Sequence, residues 1–343
     1  MGVMRKKSVL VILFLVLITL TSCKQASGSA VEETEKTILA GIGYNNQHSQ
    51  YKGLERFKEI VEKKSKGALN VKIFHSGQLG DDRSMIESLQ LGVLQVTIPS
   101  TAPLANFISE FLIFDYPFLF PNEEVADEVL DGEMGKRLLD LLPQQNLIGL
   151  AYWENGFRDL TNSTRPVSSM QDLKGLKVRI MESELHLSAF RKLGANPTPM
   201  AFGELFTAMQ QGTVDGQENP ISTIYLEGFY EVQKYISNTH HVYTPFIFLM
   251  SKPFYESLNE KEQKVVSEAA REAGKYQRKL NRKDTENYLQ KLKDNGMEYT
   301  EITESSRKEM KKTIEPLLEQ YTKEIGTDMV SDVYNAIENA QSP

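Results

Sequence analysis

One cysteine, one tryptophan and five histidines among 343 residues leave little material for several kinds of chemistry. With Cys23 alone, no disulfide can form within the chain, so its folded part must hold together by its core even in an oxidising compartment. His240 and His241 are adjacent and cannot both face one site from a regular strand; they read as ordinary polar or partly buried histidines. No Cys or His pair has metal-ligand spacing, and there is no Gly-x-Ser-x-Gly elbow and no Walker loop. The acidic stretch Gln78-Leu79-Gly80-Asp81-Asp82 is too short for a calcium loop and reads instead as a helix start capped by Asp82. No metal or cofactor is implied. Positive charge is also scarce: the formal net charge is −7, a poor basis for binding nucleic acid. An anionic ligand would have to be held by a few local cations.

Long apolar runs are missing too, with one exception at the start. Arg5, Lys6 and Lys7 precede a nearly unbroken apolar run, Val9 to Leu20, too short for a permanent membrane span, and Leu20-Thr21-Ser22-Cys23 follows. That order is a signal peptide, residues 1–22. The small residues before Cys23 resemble the lipobox of bacterial lipoproteins, which implies lipidation at Cys23 and attachment to the membrane by that lipid. Removing the leader takes away Arg5, Lys6 and Lys7 and no acid, moving the formal charge from −7 to −10. Residues 23–36 are polar and aperiodic, as a flexible tether is.

The roughly 300 residues that remain suffice for two lobes of ordinary size. Ile38 to Gly43 reads as a strand. Tyr51, Leu54, Phe57 and Val61 mark an amphipathic helix stopped by Gly67, and Leu69, Val71 and Ile73 alternate as a strand. A helix to Gly92 and a strand Leu94 to Ile98 complete β-α-β-α-β, the mark of an α/β fold with a parallel sheet. Further on, Gly156 to Asp159 reads as a loop, Leu176 to Ile180 as a strand, Phe202 to Gln211 as a helix, and Val214-Asp215-Gly216 and Asn219-Pro220 as turns. The longest helical pattern runs from residue 260 to about 293. At about 1.5 Å per residue, thirty residues span roughly 45 Å, enough to brace two lobes.

Chemistry concentrates between residues 152 and 220. Arg179 stands in an apolar strand between Val178 and Ile180, where a charge is costly to bury without a partner. Its guanidinium suits a carboxylate, held by two parallel hydrogen bonds. An internal salt bridge to Glu182 or Glu184 would account for it equally well. Arg158 lies in a loop beside aromatics. Phe202 suits a cleft wall or core packing, and Asn219 an amide donor or a turn former before Pro220.

An ordered series of motifs narrows this choice. Gln78-Leu79-Gly80-Asp81-Asp82-Arg83, Asp115-Tyr116-Pro117-Phe118-Leu119-Phe120, Asp172-Leu173-Lys174-Gly175-Leu176-Lys177-Val178-Arg179, Gly194-Ala195-Asn196-Pro197-Thr198-Pro199-Met200-Ala201-Phe202 and Val214-Asp215-Gly216-Gln217-Glu218-Asn219-Pro220 occur in this order, followed by Phe229 to Tyr235. Together they resemble the DctP-like solute-binding subunits of tripartite ATP-independent periplasmic (TRAP) transporters, over essentially the whole exported chain. The resemblance implies a two-lobed periplasmic-binding-protein-like fold with crossing strands and a long bracing helix. Lobe I would comprise 37–155 and about 245–284, and lobe II 156–244 and about 285–340. Arg179 matches the family arginine that grips a ligand carboxylate. Arg158 and Asn219 match residues near the same group, and Phe202 a cleft aromatic. His48, Asp82 and Ser100 are further candidates on the other lobe.

The implied partners are a small organic acid and ion-driven membrane permease subunits. Ser100 stands where the sialic-acid branch would carry Glu, and Met181-Glu182-Ser183 looks more like the sugar-acid branches. Uronates, aldonates or keto sugar acids are therefore expected, with four-carbon dicarboxylates or sialic acid as alternatives. A subunit of an ATP-driven importer, or a sensor for a signalling receptor, would share the two-lobe plan. A secreted sugar-acid enzyme would need a nucleophile, a metal or paired carboxylates. Glu182 and Glu184, two apart, are not diagnostic of such a pair.

Overall fold

The structure is a computed structural model describing residues 35–283 and 285–342, so the leader, Cys23 and the tether through residue 34 lie outside the described residues. Strands β1 (Lys36–Gly41), β2 (Leu69–Phe74) and β3 (Val96–Thr97) alternate with helices Ser49–Lys64 and Asp82–Gln90, as the apolar spacing predicts. Both β2 and β3 run parallel to β1, a pairing that needs these helical crossovers. The remaining strands are β4 (Leu147–Phe157), β5 (Asp159–Asn162), β6 (Lys177–Ile180), β7 (Asn196–Pro199), β8 (Gly216–Asn219), β9 (Tyr235–Ser237), β10 (Tyr243–Ser251) and β11 (Glu298–Thr300). They form two mixed sheets, β2-β1-β3-β10-β4 and β11-β9-β5-β8-β6-β7.

The sheets are joined where the strands cross. β4 ends at Phe157 and β5 begins at Asp159, so Arg158 alone separates a strand of the first sheet from one of the second. The chain returns from β9 to β10, and the Arg158 N–H donates to Val242 O at 3.0 Å across this crossing. Gly156 and Phe157 thus extend a strand rather than forming a loop, because antiparallel pairing with Tyr243 and Thr244 fills their backbone hydrogen bonds. Gly216 to Asn219 is likewise a strand and not part of two turns. Its Gly and Asn content reads as a turn, but β5 and β6 pair with it from both sides.

A third link is helical. Helix Glu260–Lys283 packs on helix Ser49–Lys64 and on β4, while helix Thr285–Asp294 packs on helix Ile221–Leu226 below the second sheet. The helical pattern expected over 260–293 is met by Glu260–Lys283 and Thr285–Asp294, and residue 284 lies outside the described residues. Trp153 on β4 anchors the first segment. Its indole N–H donates to Ala270 O at 3.0 Å, and its ring lies so close to Gly274 that an added Cβ there would meet Trp153 Cδ1 at 2.6 Å. Helix Glu304–Ile325 packs on Ser109–Asp115 and Glu184–Lys192, and helix Thr327–Gln341 on Glu123–Asp131 and Glu133–Leu139. No helix among the described residues is long and apolar enough to cross a membrane.

Candidate functional site

The ends of β6, β8 and the β4–β5 crossing bring three polar side chains together. Val178 and Ile180 on β6 are buried, and so is Arg179 between them. The Arg179 Nε and Nη2 both donate to Met200 O, at 2.9 and 2.7 Å. Its Nη1 is buried with no hydrogen-bond partner among the described residues. The salt bridge to Glu182 or Glu184 that the sequence allowed does not form: among the described residues Arg179 makes no ion pair. Burial pushes the guanidinium down to about 10, an effect that Glu218 partly offsets. A fixed cation is held here with its Nη1 amino group unpartnered among the described residues, and such a group calls for an anion.

Arg158 solves its burial differently. Its Nε pairs with Glu218 Oε2, and its Nη2 reaches Glu218 Oε1 at 2.9 Å and Asn219 Oδ1 at 3.1 Å. Both Arg158 and Glu218 are fully buried. Burial is the largest influence on the Glu218 carboxyl and raises it, but the charge and hydrogen bonds of Arg158 and of His241, whose Nε2 lies at 3.3 Å, together outweigh it and hold the group well below the usual carboxylate range. The Arg158 Nη1, like that of Arg179, is buried and unpartnered. Asn219 is buried at the end of β8; its amide nitrogen donates to Gln217 Oε1 at 2.5 Å, which leaves one of its two N–H groups uncommitted.

These three residues, with Phe202, Asp82 and Ser100, line one pocket. Phe202 is half-buried, its ring tilted against Tyr44 at 4.5 Å between centroids. Asp82 is the first residue of its helix and not its cap: Asp81 caps it by accepting from Ser84 N at 2.8 Å, which frees Asp82 to face the pocket. Burial pushes Asp82 up to about 7, although the Ser100 N–H donates to its Oδ2 at 3.3 Å. The Ser100 hydroxyl accepts from Asn155 Nδ2 at 3.2 Å.

His48 departs from this group. It is fully buried and caps helix Ser49–Lys64, its Nδ1 accepting from Gln50 N at 3.2 Å. It stacks behind Tyr44 at 4.3 Å, and Tyr44, not His48, lines the pocket. Burial pushes the His48 imidazole down to about 3, so it is neutral. Sequence reasoning missed Tyr44, Glu218 and the Met200 carbonyl. Tyr44 follows a strand that ends in glycines, and Glu218 sits inside a quoted motif. No sequence signal marks a backbone carbonyl.

Comparison with known proteins adds context to this geometry. The profile described as bacterial extracellular solute-binding protein, family 7, matches residues 41–324. The crystal structure of the sugar acid binding protein DctPAm from Advenella mimigardefordensis strain DPN7T, in complex with galactonate, is similar at 44% identity and a TM-score of 0.88, over 90% of this chain and 99% of that one. A TRAP periplasmic solute binding protein from Polaromonas sp. JS666, bound to D-erythronate, is similar at 41% identity and a TM-score of 0.84, over 88% and 98% of the two chains. The 2,3-diketo-L-gulonate-binding periplasmic protein YiaO of Escherichia coli K12 is 36% identical over 273 residues, 80% of this chain and 83% of the relative.

Proposed function

Since the chain belongs to the family-7 bacterial extracellular solute-binding proteins, the DctP-like capture subunits of TRAP transporters, we propose that its solute is a sugar acid gripped by its carboxylate at Arg179. One observation carries this reading: a buried Arg179 whose Nη1 has no partner and whose charge no acid neutralises in contact, beside a second unpartnered Nη1 on Arg158. The two Nη1 amino groups, one from each guanidinium of the same pocket, suit the two oxygens of a carboxylate. The sugar acids held by similar proteins support the choice of an aldonate, uronate or keto sugar acid over a four-carbon dicarboxylate or sialic acid.

Capture proceeds by closure of two lobes, 37–155 with about 245–284 and 156–244 with about 285–340, around the solute. The loaded protein then delivers it to the membrane permease subunits. The family is extracytoplasmic. Lipid attachment at Cys23 keeps the protein at the membrane, and Cys23→Ala would release it to the soluble fraction. Titration calorimetry with a panel of sugar acids, dicarboxylates and sialic acid tests the solute. A sugar acid binds tightest in the wild type, and Arg179→Ala nearly abolishes its binding while circular dichroism stays native. Near wild-type affinity in that variant would remove Arg179 from its role.

A further inference from the structure

We propose that Asp82, backed by Glu182, sets the specificity of this pocket, admitting acids that end in hydroxyls and rejecting those that carry a second carboxylate. The inference rests on the reading of Arg179 as the carboxylate clamp. It concerns the opposite wall.

Charge is unevenly divided around the pocket. Two cations, Arg158 and Arg179, and three acids, Asp81, Asp82 and Glu182, line it. The charge of Arg158 is already met by Glu218 in a fully buried pair. Among the described residues of the lining, Arg179 is therefore the one cation left for a ligand, and one carboxylate satisfies it. Every other charged side chain of the lining is then an acid. At pH 8, above the value of about 7 to which burial pushes Asp82, that group is ionised, and a second carboxylate beside it would be an acceptor facing an acceptor. Two like charges about 6 Å apart in a partly buried site weaken binding by on the order of a hundredfold.

The same wall suits hydroxyl groups. Asp82 accepts only the long Ser100 N–H bond among the described residues, so most of its lone-pair capacity faces the pocket. Tyr44 Oη and Ser100 Oγ each accept from Asn155 Nδ2, at 3.3 and 3.2 Å, which leaves both hydroxyl protons available. Asp82 and Arg179 feel each other's charge across the pocket, so occupation of the arginine by a carboxylate leaves Asp82 in need of new donors. A polyol tail supplies them.

The test compares acids that differ only at the far carbon. Galactonate against galactarate, and erythronate against meso-tartrate, exchange a hydroxymethyl group for a carboxylate. Calorimetry on the wild-type chain at pH 8, where Asp82 is ionised, is expected to show the monoacid of at least one pair bound tenfold or more tighter than its diacid. Asp82→Asn shrinks that ratio at least tenfold, mainly by improving the diacid, and Glu182→Gln shrinks it less. Asp82→Ser repeats the measurement should the Asn variant not fold. An unchanged ratio in the Asp82 variants, with monoacid binding still lost in Arg179→Ala, overturns this inference alone. A wild type that favours the diacid also overturns it. Failure of all four acids to bind overturns this inference and removes the aldonates from the sugar-acid reading.

Discussion

Arg158 and Arg179 share a pocket but differ in what surrounds them, and the difference separates stability from binding. Arg158 and Glu218 are fully buried partners. Truncating either leaves the other charge uncompensated, which costs about 3–5 kcal/mol. Urea unfolding is therefore expected to show Arg158→Ala and Glu218→Ala destabilised by about that amount, while Arg179→Ala unfolds at or above the wild-type midpoint. Equal losses in all three variants would contradict the distinction. The Glu218 carboxyl is held below its ordinary value, so its contribution is complete above about pH 4.5 and is lost as pH falls through the lowered value. Arg179 stood out in the sequence through the motif series around it; by residue chemistry alone, a cation between Val178 and Ile180 reads equally as half of a salt bridge. Glu218 did not: in Gln217-Glu218-Asn219-Pro220 it looks like one polar residue of a turn, and only the pairing of β8 with β5 buries it beside Arg158.

Among the elements, the opening β-α-β-α-β, β6 and most helices follow from apolar spacing, while β8 and the end of β4, both at the pocket, do not. β8 is built from Gly216 to Asn219, residues that favour turns and become strand only because neighbours on both sides fill their hydrogen bonds. The contacts that join the two lobe ranges were equally invisible, since they pair loop residues far apart in the chain. The Asn45 N–H donates to Glu227 Oε1 at 2.9 Å, and Asn45 Nδ2 to Leu226 O at 2.7 Å. On the other side of the pocket, Asn106 Nδ2 donates to Glu182 O at 2.9 Å. Burial at the first latch pushes Glu227 up to about 7, although the bonds from Asn45 lower it. Closure at this latch thus takes up protons between about pH 4.5 and 7, and its help to binding fades as pH rises through 7. Solute affinity measured from pH 6 to 8 is expected to fall, with a shallower slope in Glu227→Gln. Identical slopes would remove Glu227 from the closing step.

For the whole molecule, closure should be visible as size and as heat resistance. Small-angle scattering is expected to give a smaller radius of gyration when the wild type is saturated with its sugar acid, and no change for Arg179→Ala. A solute at 100 times its Kd adds about 2.7 kcal/mol to the closed, folded form, which a thermal melt reads as a raised midpoint. A wild type that gains thermal stability without compaction would argue against lobe closure. The two ends of the pocket differ in how they are tied to this motion. Arg158 occupies the single residue between β4 and β5, bonded across the return strand, so one of the two cations is built into the crossing itself. Asp82 and Glu182 lie outside the crossing, one on the first turn of a helix and the other in the loop after β6. The taste of the receptor and its mechanics therefore reside in separate parts: the acidic wall can be rewritten to suit another solute while the crossing keeps its wiring.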